Sequence, residues 1–291
     1  MPVSDFPPEP PVELPPARTV HVKGRGEFFV RDSGLFDPNA ERPAVMLLHG
    51  WMATADLNWV GSYRDLIEAG YRVLAIDHRG HGRGLRPLVR FRLSDCAADA
   101  AGVLRTLGVA PALVVGYSMG GAIAQLMTRE QPDAVAGVIL SGTAQHWQEP
   151  ALRRYWLSMG AMGLGLAVFP VHFWSAGLRR TGIPNSPRTA WLESELMRHS
   201  ARDVAEAGRE LGRFDSRPWL KRLDVPSAVV LTSRDDLVPP RKQRELAQAL
   251  EAEVYDAPIR HIEVTTAGAT FNQPLLRALE AVRNGRQARA A

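Results

Sequence analysis

The sequence predicts an α/β fold in which a mostly parallel sheet is flanked by helices. Residues 44–48, 72–76 and 112–115 are short, largely apolar runs, which are typical of strands buried on both faces of a parallel sheet. Segments of helical character separate these runs, and this alternation predicts parallel strands joined by right-handed crossovers. A Gly-x-Ser-x-Gly pentapeptide at residues 116–120 lies between an apolar run and a helical segment. This order predicts a sharp strand–turn–helix connection.

The beginning of the chain predicts an arm followed by an antiparallel sheet edge. Residues 1–17 contain seven prolines and little apolar material, so we expect an extended, mostly disordered arm. Apolar and polar residues alternate in 18–23 and 27–31, on either side of a glycine-containing turn at residues 24–26. This pattern predicts a hairpin at the edge of the sheet.

Capping residues and glycine stops place most of the remaining helices. Residues 59–69 predict one helix, and Ser94 is the predicted N-cap of another that runs to Leu107. A further helix at residues 122–129 follows the pentapeptide. The other predicted elements are strands at 136–140, 227–232 and 254–255 and helices at 240–250 and 271–282.

Residues 146–217 interrupt the alternation of strands and helices. They show no buried-strand pattern and are rich in Trp and Arg, so we expect a helical insertion between core segments 18–145 and 218–291. Residues 147–222 contain 12 basic and 7 acidic residues, a net charge of +5. Residues 155–174 carry no Asp, Glu, Lys or Arg, and this stretch is long enough to cross a bilayer. Glycines and a proline interrupt it, however, and argue against a membrane span.

Composition limits the classes of function. The 291 residues are 45% hydrophobic, which is enough for one large core with an insertion. The net charge is only +4 and the chain has no Lys/Arg run, so nucleic-acid binding is not expected. Cys96 is the only cysteine, which excludes an intramolecular disulfide, and we expect it to be buried. Because no basic segment followed by an apolar stretch begins the chain, we expect a cytoplasmic protein, with peripheral membrane contact through the insertion as an alternative.

Residues 112–130, with His49-Gly50 upstream and a late Asp and His, resemble the serine-nucleophile, esterase- and lipase-like branch of the α/β-hydrolase superfamily. The resemblance covers about residues 20–285 apart from the insertion. It implies an eight-stranded sheet, a cap formed by the insertion, and Ser118 as the nucleophile on its sharp turn. Family members that cleave epoxides or carbon–halogen bonds carry aspartate at this position, so Ser118 argues against those activities. From the pentapeptide alone, an ordinary glycine-rich turn remains the alternative.

The resemblance also implies an acid and a base. The family often shows Gly-x-x-Asp-x-x-x-Pro after a late strand, and the spacing to the proline selects Asp235 here, with Asp236 as the alternative. Thr232 replaces the usual glycine. His261 follows Asp235 by 26 residues and is the implied base, although Arg260 precedes it where the family usually has glycine. An ordinary charged turn is the competing interpretation of the Asp235 segment.

Backbone N–H groups supply the implied oxyanion hole. The His-Gly pair opens this loop in the family, so the N–H groups of Trp51 and Met119 would donate to the developing oxyanion. We expect His49 to orient the loop rather than to take part in catalysis. The side chain of Trp51 either lines the pocket or belongs to the core.

Asp77, His78 and His81 form a second cluster of chemically active residues. Residues 77–82 are similar to the family's Asp-x-Arg-Gly-x-Gly turn, with Gly84 where a serine is common. A metal site could be read from these side chains, but the turn is tight and no further ligand-type residues lie near in sequence. We therefore expect a structural turn and no metal or organic cofactor.

Three functional hypotheses remain. The leading one is a hydrolase of small carboxylic esters with apolar, medium or long acyl groups, in which Ser118 attacks, His261 accepts its proton and Asp235 orients the imidazole. The second is thioester or carbon–carbon bond hydrolysis, acyl transfer or cofactor-free perhydrolysis by the same residues. The third is a binding protein that has this fold and no turnover.

Overall fold

The computed structural model describes residues 6–35, 42–148, 150–180 and 184–290. Its strands are β1 (Ala17–Val22), β2 (Gly26–Asp32), β3 (Ala44–Leu48), β4 (Arg72–Ile76), β5 (Ala112–Tyr117), β6 (Val135–Ser141), β7 (Ser227–Thr232) and β8 (Glu253–Ala257). They form an eight-stranded sheet in the order β1-β2-β4-β3-β5-β6-β7-β8. Pairs β1–β2 and β2–β4 are antiparallel and the other five are parallel. The predicted α/β class and mostly parallel sheet are therefore confirmed.

Helices flank this sheet on both faces. They are α1 (Ala55–Trp59), α2 (Tyr63–Glu68), α3 (Leu93–Thr106), α4 (Met119–Glu130), α5 (Pro150–Leu157), α6 (Met159–Val168), α7 (Pro170–Arg180), α8 (Pro187–Leu196), α9 (Ala201–Arg213), α10 (Pro240–Leu250) and α11 (Ala269–Ala290). Because side chains alternate along a strand, Met46 and Leu48 of β3 pack with α3, α4 and α10, whereas Val45 and Leu47 pack with α1, α2 and α11. Cys96 is buried in the first of these two cores, as predicted.

Three predicted helices differ from the structure in their boundaries. The single helix expected at residues 59–69 is two short helices, α1 and α2, of which α1 begins earlier because the Thr54 hydroxyl accepts a hydrogen bond from the Leu57 N–H at 3.0 Å. Ser94 does not cap α3, which already begins at Leu93. The final helix extends beyond its predicted end at residue 282.

The arm differs from the prediction in its last residues. Pro15 is buried, and its carbonyl accepts a hydrogen bond from Arg31 Nη1 at 3.0 Å. Leu14 packs against the core, and the Asp32 N–H donates to the Pro16 carbonyl at 2.9 Å. Apolar contact and backbone pairing therefore hold this end of the arm on the sheet edge. Residues 1–5, which also belong to the predicted disordered arm, lie outside the described residues.

Helices α5 to α9, called the cap below, lie between β6 and β7 in the chain. This is the stretch in which the sequence predicts a helical insertion, and the boundaries 146 and 217 remain predictions. Within the described ranges, no single helix is long and apolar enough to cross a membrane. The α6–α7 pair meets the length and composition criteria only when taken together, and it is bent by 107°.

Polar contacts attach the cap to the core. The buried Glu195 carboxylate accepts from Arg83 Nη1 and Nη2 at 2.9 and 2.5 Å and from the Thr54 hydroxyl at 3.0 Å. The Trp51 indole N–H donates to the Val204 carbonyl of α9 at 2.8 Å. Each donor lies in the core segment and each acceptor in the cap, so the two parts are joined through specific pairs.

Replacing Glu195 with Ala should loosen the cap, because the partly buried Arg83 would lose its nearest carboxylate partner and keep only Asp56 and Asp77, at 3.5 and 3.7 Å. We expect a loss of about 3 kcal/mol in the free energy of unfolding, measured by denaturant titration, and faster tryptic cleavage within residues 150–213. The control Glu68→Ala removes the solvent-exposed ion pair between Arg64 and Glu68 and should cost less than about 0.5 kcal/mol. Equal losses in the two variants would contradict this role of Glu195.

Candidate active site

Ser118 lies on the sharp turn between β5 and α4. Its φ of 53° and ψ of −117° are unusual for a residue with a side chain, so the turn is strained. Packing enforces this conformation: a Cβ atom on Gly116 would overlap the backbone of Gly120, and one on Gly120 would overlap the carbonyl of Leu48. Both glycines of the pentapeptide are therefore required by close backbone approach, and Ser118 is presented at the carboxyl end of β5.

Ser118, His261 and Asp235 form one hydrogen-bonded line. The Ser118 Oγ lies 2.9 Å from His261 Nε2, and His261 Nδ1 lies 2.7 Å from Asp235 Oδ2. With the Nδ1–H donating to the carboxylate, Nε2 is the acceptor for the serine hydroxyl proton. This is the geometry that activation of a hydroxyl nucleophile by a general base requires.

The carboxylate of Asp235 is fixed by its own loop. Its Oδ1 accepts from the N–H groups of Leu237 and Val238 at 2.9 and 2.7 Å, and its Oδ2 accepts from the Thr232 hydroxyl at 2.7 Å. Gln243 Nε2 donates in turn to the Thr232 hydroxyl at 2.7 Å. Asp236, the alternative acid, is exposed and is not the carboxylate that contacts His261.

His261 is positioned by Tyr117 as well as by Asp235. It begins a short 3-10 helix, His261–Thr265, and its carbonyl accepts a hydrogen bond from the Tyr117 hydroxyl at 2.6 Å. The two rings lie 5.2 Å apart between centroids. Because Tyr117 is the neighbour of Ser118, this contact ties the backbone of His261 to the turn that carries Ser118.

The loop after β3 lies beside Ser118. A Cβ atom on Gly50 would be 3.2 Å from the Ser118 Cβ, and the Gly50 N–H donates to Asn58 Oδ1 at 2.9 Å. The backbone hydrogen bonds within the described ranges include none donated by the N–H groups of Trp51 or Met119. These two residues, whose N–H groups are expected from the sequence to form an oxyanion hole, lie in the adjacent loop and at the first position of the adjacent helix.

Comparison with known proteins finds similar sequences and similar structures. A family model described as alpha/beta hydrolase fold matches residues 43–161. The non-heme haloperoxidase of Rhodococcus erythropolis is 28% identical over 277 residues, which cover 87% of this chain and 96% of that protein. The enol-lactonase structure from Burkholderia xenovorans LB400 superimposes with a TM-score of 0.76 at 22% identity and covers 90% of this chain and 100% of that chain. The chain has the α/β-hydrolase fold.

A further relative matches only part of its own length. Epoxide hydrolase B of Mycobacterium tuberculosis is 36% identical over 124 residues, or 42% of this chain. The matched region spans about a third (34%) of that epoxide hydrolase. The likeness therefore concerns part of the α/β-hydrolase core.

Four histidines form a cluster behind the loop after β3, namely His49, His78, His81 and His199. Ring centroids are 4.2 Å apart for His49–His78, 5.6 Å for His49–His81 and 5.4 Å for His81–His199. Burial lowers the pKa of His78 to about 3 and that of His199 to about 4, and it lowers the pKa values of His49 and His81 well below the usual range. The rings are therefore neutral at pH 7.

Hydrogen bonds also require two of these rings to be neutral. His49 Nδ1 lies 2.8 Å from the Gly50 carbonyl, while its Nε2 accepts from the His78 N–H at 2.9 Å. His199 Nδ1 accepts from the Gly82 N–H at 3.1 Å. His49 thus contacts the backbone of its own loop, which is the position expected for a residue that orients it.

The turn at residues 77–82 has a structural explanation. Asp77 is buried and accepts from the N–H groups of Ala55 and Arg83, both at 2.7 Å. Burial raises the pKa of Asp77 to about 6. Where the structure describes the chain, no group of three or more His, Cys, Asp or Glu side chains is arranged to hold a metal ion.

Sequence reasoning missed three residues that support the site. In the sequence Thr232 is only a departure from the family's glycine, yet in the structure its hydroxyl donates a hydrogen bond to the Asp235 carboxylate. Gln243 and the Tyr117 hydroxyl gave no signal, because their contacts span 11 and 144 residues along the chain. A threonine three residues before a candidate acid was the one local clue.

Replacing His199 with Asn should reduce the pH dependence of stability. The pKa of His199 is lower in the folded chain, about 4, than its ordinary value of 6.5, so the unfolded chain binds a proton that the folded chain lacks. The stability due to this group is complete above pH 6.5 and is lost as the pH falls toward 4. In the variant, the decline in the free energy of unfolding should become shallower by up to about 1.4 kcal/mol per pH unit.

Denaturant titrations at several pH values between the two limits would measure this slope. His21→Asn, at an exposed position of β1, is the matched control and should keep the wild-type slope. A slope in His199→Asn identical to that of the wild type would refute the assignment.

Proposed function

We propose that this protein is a serine hydrolase that cleaves carboxylic esters with apolar acyl groups. The hydrogen-bonded line from Ser118 through His261 to Asp235 carries this proposal. The name of the enol-lactonase supports it, since a lactone is a cyclic ester. A cytoplasmic location, expected from the sequence, is part of the same proposal.

The proposed reaction proceeds through an acyl-enzyme. Ser118 Oγ attacks the ester carbonyl while its proton passes to His261 Nε2, and the Asp235 carboxylate stabilises the resulting imidazolium. The N–H groups of Trp51 and Met119 stabilise the tetrahedral oxyanion, each by about 3 kcal/mol. The intermediate collapses, and the leaving alkoxide takes the proton from His261. Water, deprotonated by His261, then attacks the acyl-enzyme and releases the carboxylic acid and Ser118.

Apolar surface beside the triad favours apolar acyl groups. Ile262 directly follows His261, and Leu237 donates its N–H to Asp235, yet their side chains are 65% and 60% exposed. Exposed apolar side chains next to a reactive hydroxyl are typical of a binding surface for hydrocarbon.

The relatives' names suggest two other reactions. Epoxide cleavage is not proposed, because Ser118 stands where epoxide-cleaving family members carry aspartate. Perhydrolysis is the second candidate, since a bifunctional esterase/perhydrolase of Acinetobacter calcoaceticus is also similar to part of this chain. In that reaction hydrogen peroxide replaces water, attacks the acyl-enzyme and releases a peracid, with no other change in the roles of the triad.

Replacing Ser118 with Ala should abolish ester hydrolysis and leave the fold intact. Wild-type protein should hydrolyse p-nitrophenyl esters, with octanoyl preferred over acetyl, and kcat should fall by at least about a thousandfold in Ser118→Ala. Adding hydrogen peroxide to the wild-type reaction should test for peracid formation by the same residue. Circular dichroism checks the fold of the variant.

Covalent labelling separates the remaining alternatives. A fluorophosphonate probe should label the wild type and not Ser118→Ala. Equal ester turnover in both proteins would refute the mechanism. Labelling without ester turnover would favour thioester or carbon–carbon substrates, and absence of both would favour a binding protein.

Thr232 should matter through the position of the Asp235 carboxylate. Thr232→Val keeps the shape of the side chain and removes the hydroxyl that donates to Oδ2, so kcat should fall by about tenfold with little change in KM. Thr232→Ser restores the hydroxyl and should recover most of the loss. Steady-state kinetics on one ester measure both parameters, and a change in KM alone would exclude this role.

A further inference from the structure

The outer face of α6 is apolar although it faces solvent. Met159 and Leu166 of α6 are buried. Between them, Gly163 packs against Ala205 of α9. The opposite face consists of exposed apolar residues at helical spacing: Gly160, Ala161, Leu164, Ala167 and Val168. A helix that is apolar on all sides is normally enclosed by protein or by lipid.

Exposed apolar side chains continue on both sides of α6. Leu157 before it is 75% exposed, Leu164 is 66% exposed, and Phe169 after it is 61% exposed. Phe169 lies between α6 and α7, at the bend of 107°. A cluster of this kind within 13 residues is typical of a docking surface rather than of ordinary surface composition.

The segment of the chain that carries this face has arginines and no acidic residues. Residues 150–192 contain no Asp or Glu and five Arg. Arg154, Arg179 and Arg188 are exposed, and the ion pairs between described residues include none of them. By contrast, Arg202 and Arg213 of α9 pair with acidic residues of the same helix. The apolar face thus belongs to a segment of the chain, residues 150–192, that contains arginines and no acidic residue.

We propose that the cap docks on the surface of a membrane that contains anionic lipids. Leu164, Val168 and Phe169 enter the boundary of the acyl chains, and Arg154 and Arg179 meet the headgroups. A second copy of the chain fits less well, because it would bring a surface of the same positive charge against the first. The proposal concerns the cap surface alone and does not depend on the proposed activity of Ser118.

Vesicle co-sedimentation tests this docking directly. Full-length protein should bind phosphatidylcholine vesicles that contain phosphatidylglycerol, and should bind pure phosphatidylcholine vesicles much more weakly. Binding should weaken as salt is added, because salt screens the arginine contribution. The double variant L164E/F169E should lose at least about tenfold in the vesicle partition coefficient, because two apolar anchors become anionic.

A matched control excludes a general effect of added negative charge. Leu88 is 94% exposed and lies outside the cap, so L88E should bind anionic vesicles as the wild type does. Because Leu164 and Phe169 are exposed, thermal melting should show all variants folded. Ser118→Ala should also bind like the wild type, which separates this test from that of the proposed function.

Three results would overturn the proposal. They are absence of wild-type binding to anionic vesicles, equal binding by L164E/F169E, and a loss in L88E as large as that in the double variant. Size-exclusion chromatography identifies the competing occupant. A dimer that forms with rising protein concentration, dissociates in L164E/F169E and does not bind vesicles would assign this face to self-association.

Discussion

The close approach of Gly120 to the carbonyl of Leu48 is the constraint on which the site depends. It brings the start of α4 against the end of β3, so that the turn holding Ser118 and the loop after β3 become neighbours. Without a side chain at Gly116 and Gly120, the backbone can turn sharply enough to give Ser118 its positive φ. The reactive hydroxyl and the candidate oxyanion donors are thus set by backbone packing in the sheet.

Buried carboxylates then fix the loops around this turn. Asp235 receives two backbone N–H groups, the Thr232 hydroxyl and the His261 imidazole. Asp77 likewise accepts hydrogen bonds from the N–H groups of Ala55 and Arg83, and it fixes the loops at these two residues. Burying a carboxylate oxygen without a hydrogen-bond donor costs free energy. Each of these carboxylates therefore favours the loop conformation that supplies its donors.

Local patterns in the sequence predict much of the fold but only part of the site. The apolar runs locate the central strands because burial on both faces leaves few polar positions in β3 or β5. The glycines around Ser118 are informative for the same reason, since the requirement is local. The sequence does not predict the break between α1 and α2. The apolar pattern continues through residues 59–69 and predicts one helix, whereas the Thr54 cap and the turn at Gly61 divide the segment into two.

Contacts that join distant segments could not be predicted. Gln243 reaches Thr232 only once β7 and α10 are packed together, and Tyr117 meets the His261 carbonyl only in the finished sheet. The triad assignment itself came from family spacing, and the structure supplies the distances between its atoms. The charged cap surface was visible as composition, whereas the division of α6 into buried and exposed apolar faces required the packing of α9.

Trp51 connects the two parts of the molecule in which function is proposed. Its backbone N–H is a candidate oxyanion donor beside Ser118, and its indole N–H is bound to the Val204 carbonyl in the cap. Its ring also contacts Tyr155 and Trp156 of α5, at centroid distances of 6.1 and 5.9 Å. A shift of the cap must therefore move the indole or break its hydrogen bond, and the same residue lies in the loop beside Ser118. The proposed membrane docking of the cap would thus have a contiguous physical route to the candidate active site, through one side chain with defined partners in the cap.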